Sequence, residues 1–316
     1  MKLENVANLS EALVAEVSRA IVGKEDVLER VALAILSDGH LLIEDYPGLG
    51  KTIMAKSFAA ALGCEFKRIQ FTPDLLPADI TGTYILDRRK SDFVLRRGPI
   101  FTNVLLADEI NRAPPKTQAA LLEAMQERQA TLEGETHPID RPFLVMATQN
   151  PIEFEGTYPL PEAQIDRFVM RIEMGYPSRA AEVEILSRRM ARKQDLVEIE
   201  RIADPKQIQD MQAAVEEVFV EEDVERYIVE LVRRTRSHAR VEVGASPRGS
   251  LALLKLSRSL AAIRGRDYVL PDDIKEIAVD ALSHRLILKP DPLIRGVKPT
   301  AVVAEILQEV PVPKVD

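Results

Sequence analysis

The sequence has few of the features that stabilise secreted proteins or anchor membrane proteins. Its 316 residues include one cysteine and no tryptophan. Cys64 alone cannot form an internal disulfide, which suits a reducing compartment. No apolar run approaches the about 20 residues that span a bilayer. The first five residues, MKLEN, lack the basic start and apolar core of a signal peptide. We therefore expect a cytoplasmic protein without membrane insertion.

The sequence also lacks a surplus of basic residues. Lysines and arginines number 42 against 50 acidic residues, which gives a net charge of −8. This balance supplies no overall attraction to nucleic acid or to an anionic membrane, although it is compatible with a local basic patch. The histidines at 137, 238 and 284 are scattered and form no metal-binding motif. Length and composition predict an ordinary globular protein, most simply of two domains.

Short apolar runs alternate with helical patterns up to about residue 175. Near-continuous apolar strands separated by helices are typical of a parallel sheet covered on both faces. Any one run could instead be a piece of buried helix, and the regular alternation favours the sheet. The predicted strands are HLLI (40–43), EFKRIQF (65–71), VLLA (104–107), FLVMA (143–147) and VMRI (169–172).

The pattern changes to helices alone from Pro177 onward. Asp204-Pro205 and Ser246-Pro247 each combine an N-cap residue with proline at the first helical position. A further helix is predicted to begin at Pro271. The sequence therefore predicts an α/β domain over residues 1–176 and a smaller, all-helical domain over residues 177–316.

The stretch DYPGLGKT, residues 45–52, follows the first predicted strand and precedes a helix. It ends like the phosphate-binding pattern G-x-x-x-x-G-K-[ST], but Asp45 stands where the pattern has glycine. In such a loop, backbone N–H groups surround the phosphates, Lys51 would reach the β and γ phosphates, and Thr52 would bind magnesium. Aspartate tolerates a positive φ, and its carboxylate should point away from the phosphates. The predicted nucleotide-binding residues are Pro47, Gly48, Leu49, Gly50, Lys51, Thr52 and Ile53.

This stretch alone leaves a plain glycine-containing turn open, and two later strand ends favour nucleotide binding. Asp108 and Glu109 follow an apolar strand, where Asp108 can orient Mg²⁺ and Glu109 can polarise the attacking water. Asn150 ends the strand FLVMATQNP and could contact the γ-phosphate or that water. A solvated acidic pair and an Asn-Pro turn are the alternatives. Magnesium held with ATP is the only metal predicted.

Four stretches together resemble the MoxR family of AAA+ ATPases. DYPGLGKT, LLADEINRAPPKTQAALLEAMQER, ATQNP and EGTYPLPEAQIDRF occur in that family's order, and the resemblance runs from about Ile21 to the end of the chain. It implies a P-loop AAA+ parallel sheet between helices, followed by a smaller helical lid. It also implies Mg²⁺-dependent ATP hydrolysis in a ring, by family expectation a hexamer. Chaperone-like action on protein clients, with von Willebrand factor A domain proteins as partners, would follow.

The resemblance also assigns roles to individual residues. Asp108-Glu109 corresponds to the Walker B pair and Asn150 to sensor 1. Arg167 resembles the arginine finger that reaches the adjacent subunit's γ-phosphate, and a surface pair with Asp166 is the alternative. Two further matches are Arg248, which resembles the sensor 2 that reports the nucleotide to the lid, and Ile21-Val22-Gly23, which resembles the segment framing adenine.

Two stretches resemble projecting hairpins of this branch of AAA+ proteins. Residues 83–100 look like the insertion that interrupts helix 2, and residues 129–141 look like the pre-sensor hairpin, with a turn at Glu133-Gly134-Glu135. The first stretch is locally basic, which is usual for a solvated face and also fits a pore or partner surface. Its basic residues are Arg88, Arg89, Lys90, Arg96 and Arg97.

Other functions remain to be weighed against a client-remodelling ring ATPase. A nucleic-acid motor related to minichromosome maintenance helicases is disfavoured by the negative net charge and by the lack of an appended DNA-binding module. A non-hydrolysing, nucleotide-controlled scaffold is disfavoured by the intact Glu109 and Arg167. A magnesium-chelatase-like motor subunit is also less favoured, because residues 104–127 resemble the MoxR family more closely than they resemble such subunits.

Overall fold

The computed structural model describes residues 1–89, 91–150 and 156–313. Elements are numbered along the chain. The strands are β1 (Leu41–Glu44), β2 (Phe66–Gln70), β3 (Gly82–Asp87), β4 (Asp92–Arg97), β5 (Val104–Asp108), β6 (Gln129–Leu132), β7 (Glu135–Pro138), β8 (Leu144–Gln149), β9 (Met170–Ile172), β10 (Val241–Val243) and β11 (Ile287–Leu288). The helices are α1 (Leu3–Ser18), α2 (Glu25–Leu36), α3 (Lys51–Ala61), α4 (Pro77–Thr81), α5 (Pro115–Glu127), α6 (Glu162–Ile165), α7 (Arg179–Arg192), α8 (Pro205–Glu216), α9 (Glu222–Ser237), α10 (Pro247–Ile263), α11 (Pro271–Leu282), α12 (Pro290–Ile294) and α13 (Pro299–Glu309).

A five-stranded parallel sheet forms the centre of the molecule, in the order β2-β5-β8-β1-β9. Each of the five apolar runs predicted as strands supplies one of these strands, so the prediction of a parallel sheet is confirmed. Successive side chains of a strand point to opposite faces. Leu41 and Leu144 accordingly belong to the apolar cluster that includes α1 to α3, whereas Leu42 and Val145 belong to the cluster that includes α5. Helices therefore cover both faces of the sheet.

The second half of the chain is helical, as predicted, and three of its helices begin at the predicted prolines. Asp204 caps α8 by accepting from Gln207 N (2.8 Å), and the Ser246 hydroxyl caps α10 by accepting from Arg248 N (3.1 Å). The prediction of helices alone is wrong in detail, because β10 and β11 form a short antiparallel pair, in which Val241 lies opposite Leu288. Strands of three and two residues are too short to produce a readable alternation in the sequence.

The helical part shares its core with the sheet. One continuous cluster of buried apolar side chains includes Leu13 of α1, Leu41 of β1, Leu256 of α10 and Ile277 of α11. The apolar core therefore continues without interruption across the predicted boundary near residue 176. Within the described residues, no helix combines the length and apolar character needed to cross a bilayer.

Two β-hairpins extend from the α/β part. The insertion hairpin, β3–β4, follows the short helix α4, and turns rather than a second helical segment connect it to β5. The pre-sensor hairpin, β6–β7, turns at Glu133-Gly134, where φ is 49° and 86°. Lys90, which the sequence analysis included in the basic cluster, lies outside the described residues.

Candidate functional site

A cavity of about 380 Å³ opens at the carboxyl ends of the sheet strands. It forms there because β1, β5 and β8 are adjacent and parallel, so that the loops after them meet at one edge of the sheet. Every predicted residue of the phosphate loop, both Walker B acids and Asn150 line this cavity. The full lining is Asp45, Pro47, Gly48, Leu49, Gly50, Lys51, Thr52, Ile53, Arg68, Gln70, Asp108, Glu109, Thr148, Gln149 and Asn150.

The phosphate loop has a backbone conformation compatible with anion binding. Gly48 and Gly50 have φ of 83° and 88°, in the left-handed region that favours glycine, and α3 begins at the next residue, Lys51. A Cβ added at Gly48 would meet none of the described atoms within 4 Å, so the loop backbone is open to the cavity at this position. A helix N-terminus with exposed N–H groups is a ready site for phosphate oxygens. These residues therefore fit the triphosphate of ATP.

The Lys51 side chain contacts the start of its own phosphate loop. Its Nζ donates to the Asp45 carbonyl oxygen at 2.6 Å. Burial lowers the pKa of the Lys51 ammonium, and the surrounding carboxylates oppose that shift. A cation that is partly desolvated and faces an open cavity gains more from an incoming phosphate than a fully hydrated surface lysine would. Thr52 follows in the first turn of α3, where its hydroxyl is available as a magnesium ligand.

Asp45 stands where the usual phosphate-loop pattern has its first glycine, and its backbone does not need glycine there. The positive φ that aspartate could have tolerated does not occur at Asp45; it occurs at Gly48 and Gly50. Asp45 is 5% exposed, and its carboxylate accepts from Tyr46 N (2.8 Å) and Gly175 N (2.6 Å). The side chain therefore ties the start of the phosphate loop to the segment that follows β9. One of its oxygens is directed at Gly175 N, and whether the carboxylate avoids bound phosphates stays a prediction.

We predict that Asp45→Ala lowers the free energy of unfolding by about 1–3 kcal/mol, because it removes the hydrogen bonds that two backbone N–H groups make to a buried, charged carboxylate. Urea unfolding followed by circular dichroism measures this change. Asp267→Ala, at an exposed position, is the control and should change stability by less than about 0.5 kcal/mol. Equal stability of Asp45→Ala and the unmodified chain would contradict the structural role of this carboxylate.

Both Walker B acids are engaged by neighbouring side chains. Asp108 Oδ2 accepts two hydrogen bonds from Arg68, from Nε at 3.1 Å and Nη2 at 2.6 Å, and Oδ1 accepts from the Thr148 hydroxyl at 2.6 Å. Glu109 has a left-handed backbone (φ 57°). Its Oε2 accepts from Gln70 Nε2 at 2.8 Å and pairs with Arg112 Nε at 3.1 Å. The carboxylates thus face the cavity in an ordered network.

Four members of this network were not identified from the sequence: Arg68, Gln70, Arg112 and Thr148. The signals were present but not specific. Arg68 and Gln70 are two residues apart on β2, so their side chains lie on the same face of the strand. Thr148 lies on β8, two residues before Asn150. The strand order, which places β2 and β8 on either side of β5, brings Arg68, Gln70 and Thr148 to the Walker B acids, whereas Arg112 lies only three residues from Glu109.

Two predicted nucleotide contacts lie outside the cavity. Val22 is buried and is absent from the cavity lining in the described part of the chain. Arg248 likewise does not line its own subunit's phosphate cavity. It lies in a second groove of about 390 Å³, where its Nη2 donates to Gln126 Oε1 at 3.1 Å. This groove separates α10 from the end of α5 and the segment before β9.

Arg167 lies in the same second groove as Arg248. Within the described structure, its Nε is buried without a hydrogen-bond partner. The neighbouring Asp166 is fixed to the helical part: it accepts from Arg285 through both its carboxylate and its carbonyl oxygen (the latter at 2.7 Å), and from the Ser246 hydroxyl at 2.8 Å. The Arg167 segment and the start of α10 therefore form one connected unit.

The second groove is strongly positive. Its cations outnumber its acids, and burial lowers the pKa of His40 in its wall to about 4, so that this imidazole is neutral at pH 7. The cations are Arg128, Arg141, Arg167, Arg248, Lys255 and Arg285, and the acids are Asp38 and Asp166. An anion on an adjacent molecule would be attracted to this groove. No group of three or more histidine, cysteine or acidic side chains suited to a metal occurs within the described ranges.

The chain is similar to known proteins over both parts of the fold. Residues 40–170 match the model of the ATPase family associated with various cellular activities (AAA), and residues 233–306 match the AAA lid domain. Uncharacterized protein YeaC of Bacillus subtilis is 46% identical over 98% of this chain and 97% of its own length. Chaperone MoxR1 of Mycobacterium tuberculosis is 46% identical over 97% of this chain and 83% of its own length. A crystal structure of a candidate ATPase from Cytophaga hutchinsonii superimposes with a TM-score of 0.92 at 40% identity, covering 99% of this chain and 97% of that one.

Proposed function

The chain belongs to the MoxR family of AAA+ ATPases, and we propose that it hydrolyses ATP with Mg²⁺ at sites completed between neighbouring subunits of a ring. One observation carries this proposal. The phosphate loop and the Walker B acids line one cavity, whereas Arg167 and Arg248 line another. A single chain therefore separates the two halves of the site, and a second copy could bring them together.

Within one subunit, the cavity residues can bind and orient the nucleotide. The loop N–H groups and Lys51 would hold the β and γ phosphates, and Asn150 would help to place the attacking water. Thr52 and Asp108 would hold Mg²⁺, which when bound would neutralise phosphate charge. Glu109 would take the proton of the water as its oxygen bonds to the γ-phosphorus and the bond to the bridging oxygen breaks.

The contacts of the two acids imply a rearrangement before hydrolysis. Asp108 is bound to Arg68, and Glu109 to Gln70 and Arg112. Each carboxylate must exchange at least part of these hydrogen bonds for metal-bound or attacking water. Arg167 and Arg248 of the adjacent subunit would then supply the positive charge opposite the γ-phosphate, where charge develops in the transition state.

Magnesium-dependent ATP hydrolysis per subunit, measured over a wide range of protein concentration, tests this function. We expect the specific activity to rise with concentration as subunits associate, and to disappear when EDTA removes Mg²⁺. Lys51→Ala is the inactive control. Activity that is independent of concentration and is not carried by oligomers in sedimentation would contradict a site shared between subunits. Absence of hydrolysis at every concentration, with or without added partner protein, would contradict the ATPase function itself.

We further propose a hexameric ring that acts on protein clients in a chaperone-like way, with a von Willebrand factor A domain protein as partner. The name of the relative Chaperone MoxR1 supports the chaperone part, and the two hairpins offer surfaces for a protein contact. Sedimentation with ATP measures the subunit number. Co-sedimentation with such a partner tests the association, and a failure to bind in both the nucleotide-free and ATP states would contradict it.

A further inference from the structure

The insertion hairpin contacts the pre-sensor hairpin through Tyr84. The Tyr84 hydroxyl donates to Glu135 Oε2 at 2.6 Å and lies 3.2 Å from His137 Nε2. Tyr84 is two residues from Leu86, which lies opposite Phe93 on β4. Side chains two apart on a strand share a face, so Tyr84 and Leu86 lie on the same face of the insertion hairpin. Phe93, opposite Leu86, lies on that face too, and this is the face that contacts the pre-sensor hairpin through Tyr84.

A cleft of about 470 Å³ lies between the two hairpins, lined by Tyr84, Phe93, Glu133 and Glu135. One wall is aromatic, and Phe93 is 65% exposed. The other wall carries two carboxylates. An aromatic ring beside carboxylates favours an arginine or lysine side chain, because the ring can cover the apolar stem and attract the cation while the carboxylates pair with it.

The chain itself carries a matching cationic segment. Residues 82–97 contain five basic and two acidic side chains, whereas residues 129–138 contain two acidic and no basic ones, apart from a histidine. Arg88 and Arg89 are exposed in the turn of the insertion hairpin, and no carboxylate among the described residues forms an ion pair with either side chain. This turn belongs to the hairpin that forms the aromatic wall, and the arginines do not occupy the adjacent cleft of their own subunit.

We propose that the cleft of one subunit receives the Arg88-Arg89 turn of the next subunit, so that insertion and pre-sensor hairpins interlock around the ring. The inference rests on the proposed ring. A second copy is favoured as the occupant because cleft and turn have opposite charges, lie on the same two hairpins and are present in equal number in any assembly of identical chains. The contact would join neighbours at a surface separate from the nucleotide site.

Charge reversal tests the contact energetically. Glu133→Arg should raise the protein concentration at half-maximal ATPase activity by about 3- to 10-fold, as expected for an exposed charge pair at an interface. Arg89→Glu should do the same, and the two changes combined in one chain should restore the original value. Glu123→Arg, an exposed change on α5, is the control and should leave it unchanged. Failure of the combined variant to improve on either single variant would contradict the pairing.

Disulfide trapping tests the contact geometrically. In a Cys64→Ser background, a mixture of Arg89→Cys and Glu133→Cys chains should form a covalent heterodimer under mild oxidation with ATP. Arg96→Cys, on the opposite face of the insertion hairpin, should not replace Arg89→Cys. No cross-link, under conditions where Arg167→Ala and Lys51→Ala subunits restore each other's turnover, would overturn the interlock and leave the ring intact. If that mutual restoration also fails, the ring proposal fails with it.

A client is the competing occupant of the cleft. A fluorescent peptide with an Arg-Arg pair between apolar residues distinguishes the two, because a client site would bind it in a Glu133-dependent manner without any cross-link between subunits. That result would overturn the proposal. Competition between the peptide and the cross-link would support a cleft that an arginine of the next subunit occupies.

Discussion

Glu109→Gln is expected to bind ATP normally and to lose turnover by about 10²- to 10⁴-fold, the usual contribution of a positioned general base. Glutamine preserves the size of the side chain and an oxygen for Gln70 Nε2, which lies 2.8 Å from Glu109 Oε2. It cannot take a proton from water. The change therefore separates the base function of the carboxylate from its role in the hydrogen-bond network at the end of β5.

Two measurements are needed for Glu109→Gln: equilibrium binding of a fluorescent ATP analogue, and phosphate release at saturating ATP. Glu123→Gln, an exposed change on α5, serves as the matched control and should keep the turnover of the unmodified chain. Turnover of Glu109→Gln at the unmodified rate would show that another group accepts the proton. Loss of ATP binding would indicate that the network, rather than the proton transfer, had been disrupted.

Arg167→Ala is expected to reduce turnover by about 10³- to 10⁵-fold, the range observed when an arginine finger is absent. ATP binding should persist, because Arg167 does not line the phosphate cavity of its own subunit. Arg167→Lys should recover little activity, since an ammonium cannot reproduce the bidentate geometry of a guanidinium. Arg233→Ala, an exposed change on α9, is the control.

Mixing experiments decide in which subunit Arg167 acts. Arg167→Ala subunits retain an intact phosphate loop, and Lys51→Ala subunits retain an intact Arg167. Neither variant should turn over alone, and the mixture should recover part of the activity at interfaces that combine one of each. A mixture as inactive as its components, in a sample where sedimentation shows mixed oligomers, would place Arg167 in a role within its own subunit.

The sequence allowed the elements nearest the chemistry to be predicted because their signals are local. The apolar strands, the glycine pair before Lys51 and the acids after β5 each lie within a few consecutive residues. Helix α7 gave no comparable signal. Ala181 is its only buried residue among the described positions, so its apolar side chains do not mark a face turned toward the core.

Several contacts that the sequence did not predict depend on the pairing of strands that are far apart in the sequence. Arg68 reaches Asp108 only because β2 pairs with β5, and Thr148 reaches it only because β8 lies on the other side. The position of Arg248 depends on how α10 packs, and a helix-start motif contains no information about that partner. One contact of Asp45 is equally long-range, since its Oδ2 accepts from Gly175 N, 130 residues away.

The attachment of Asp166 to Arg285 and Ser246 has a mechanical consequence. Because this carboxylate lies next to Arg167, the helical part cannot rotate away without either carrying Arg167 along or breaking charged hydrogen bonds. Further along the same segment, Asp45 joins the phosphate loop to Gly175, just before the helical part begins. The segment from residue 166 to residue 175 is thus held at one end by the helical part and at the other end by the phosphate loop. In the proposed ring, each subunit would contribute the phosphate loop of one site and Arg167 of the next, so these bonds would couple every nucleotide site reciprocally to the sites on both sides of it.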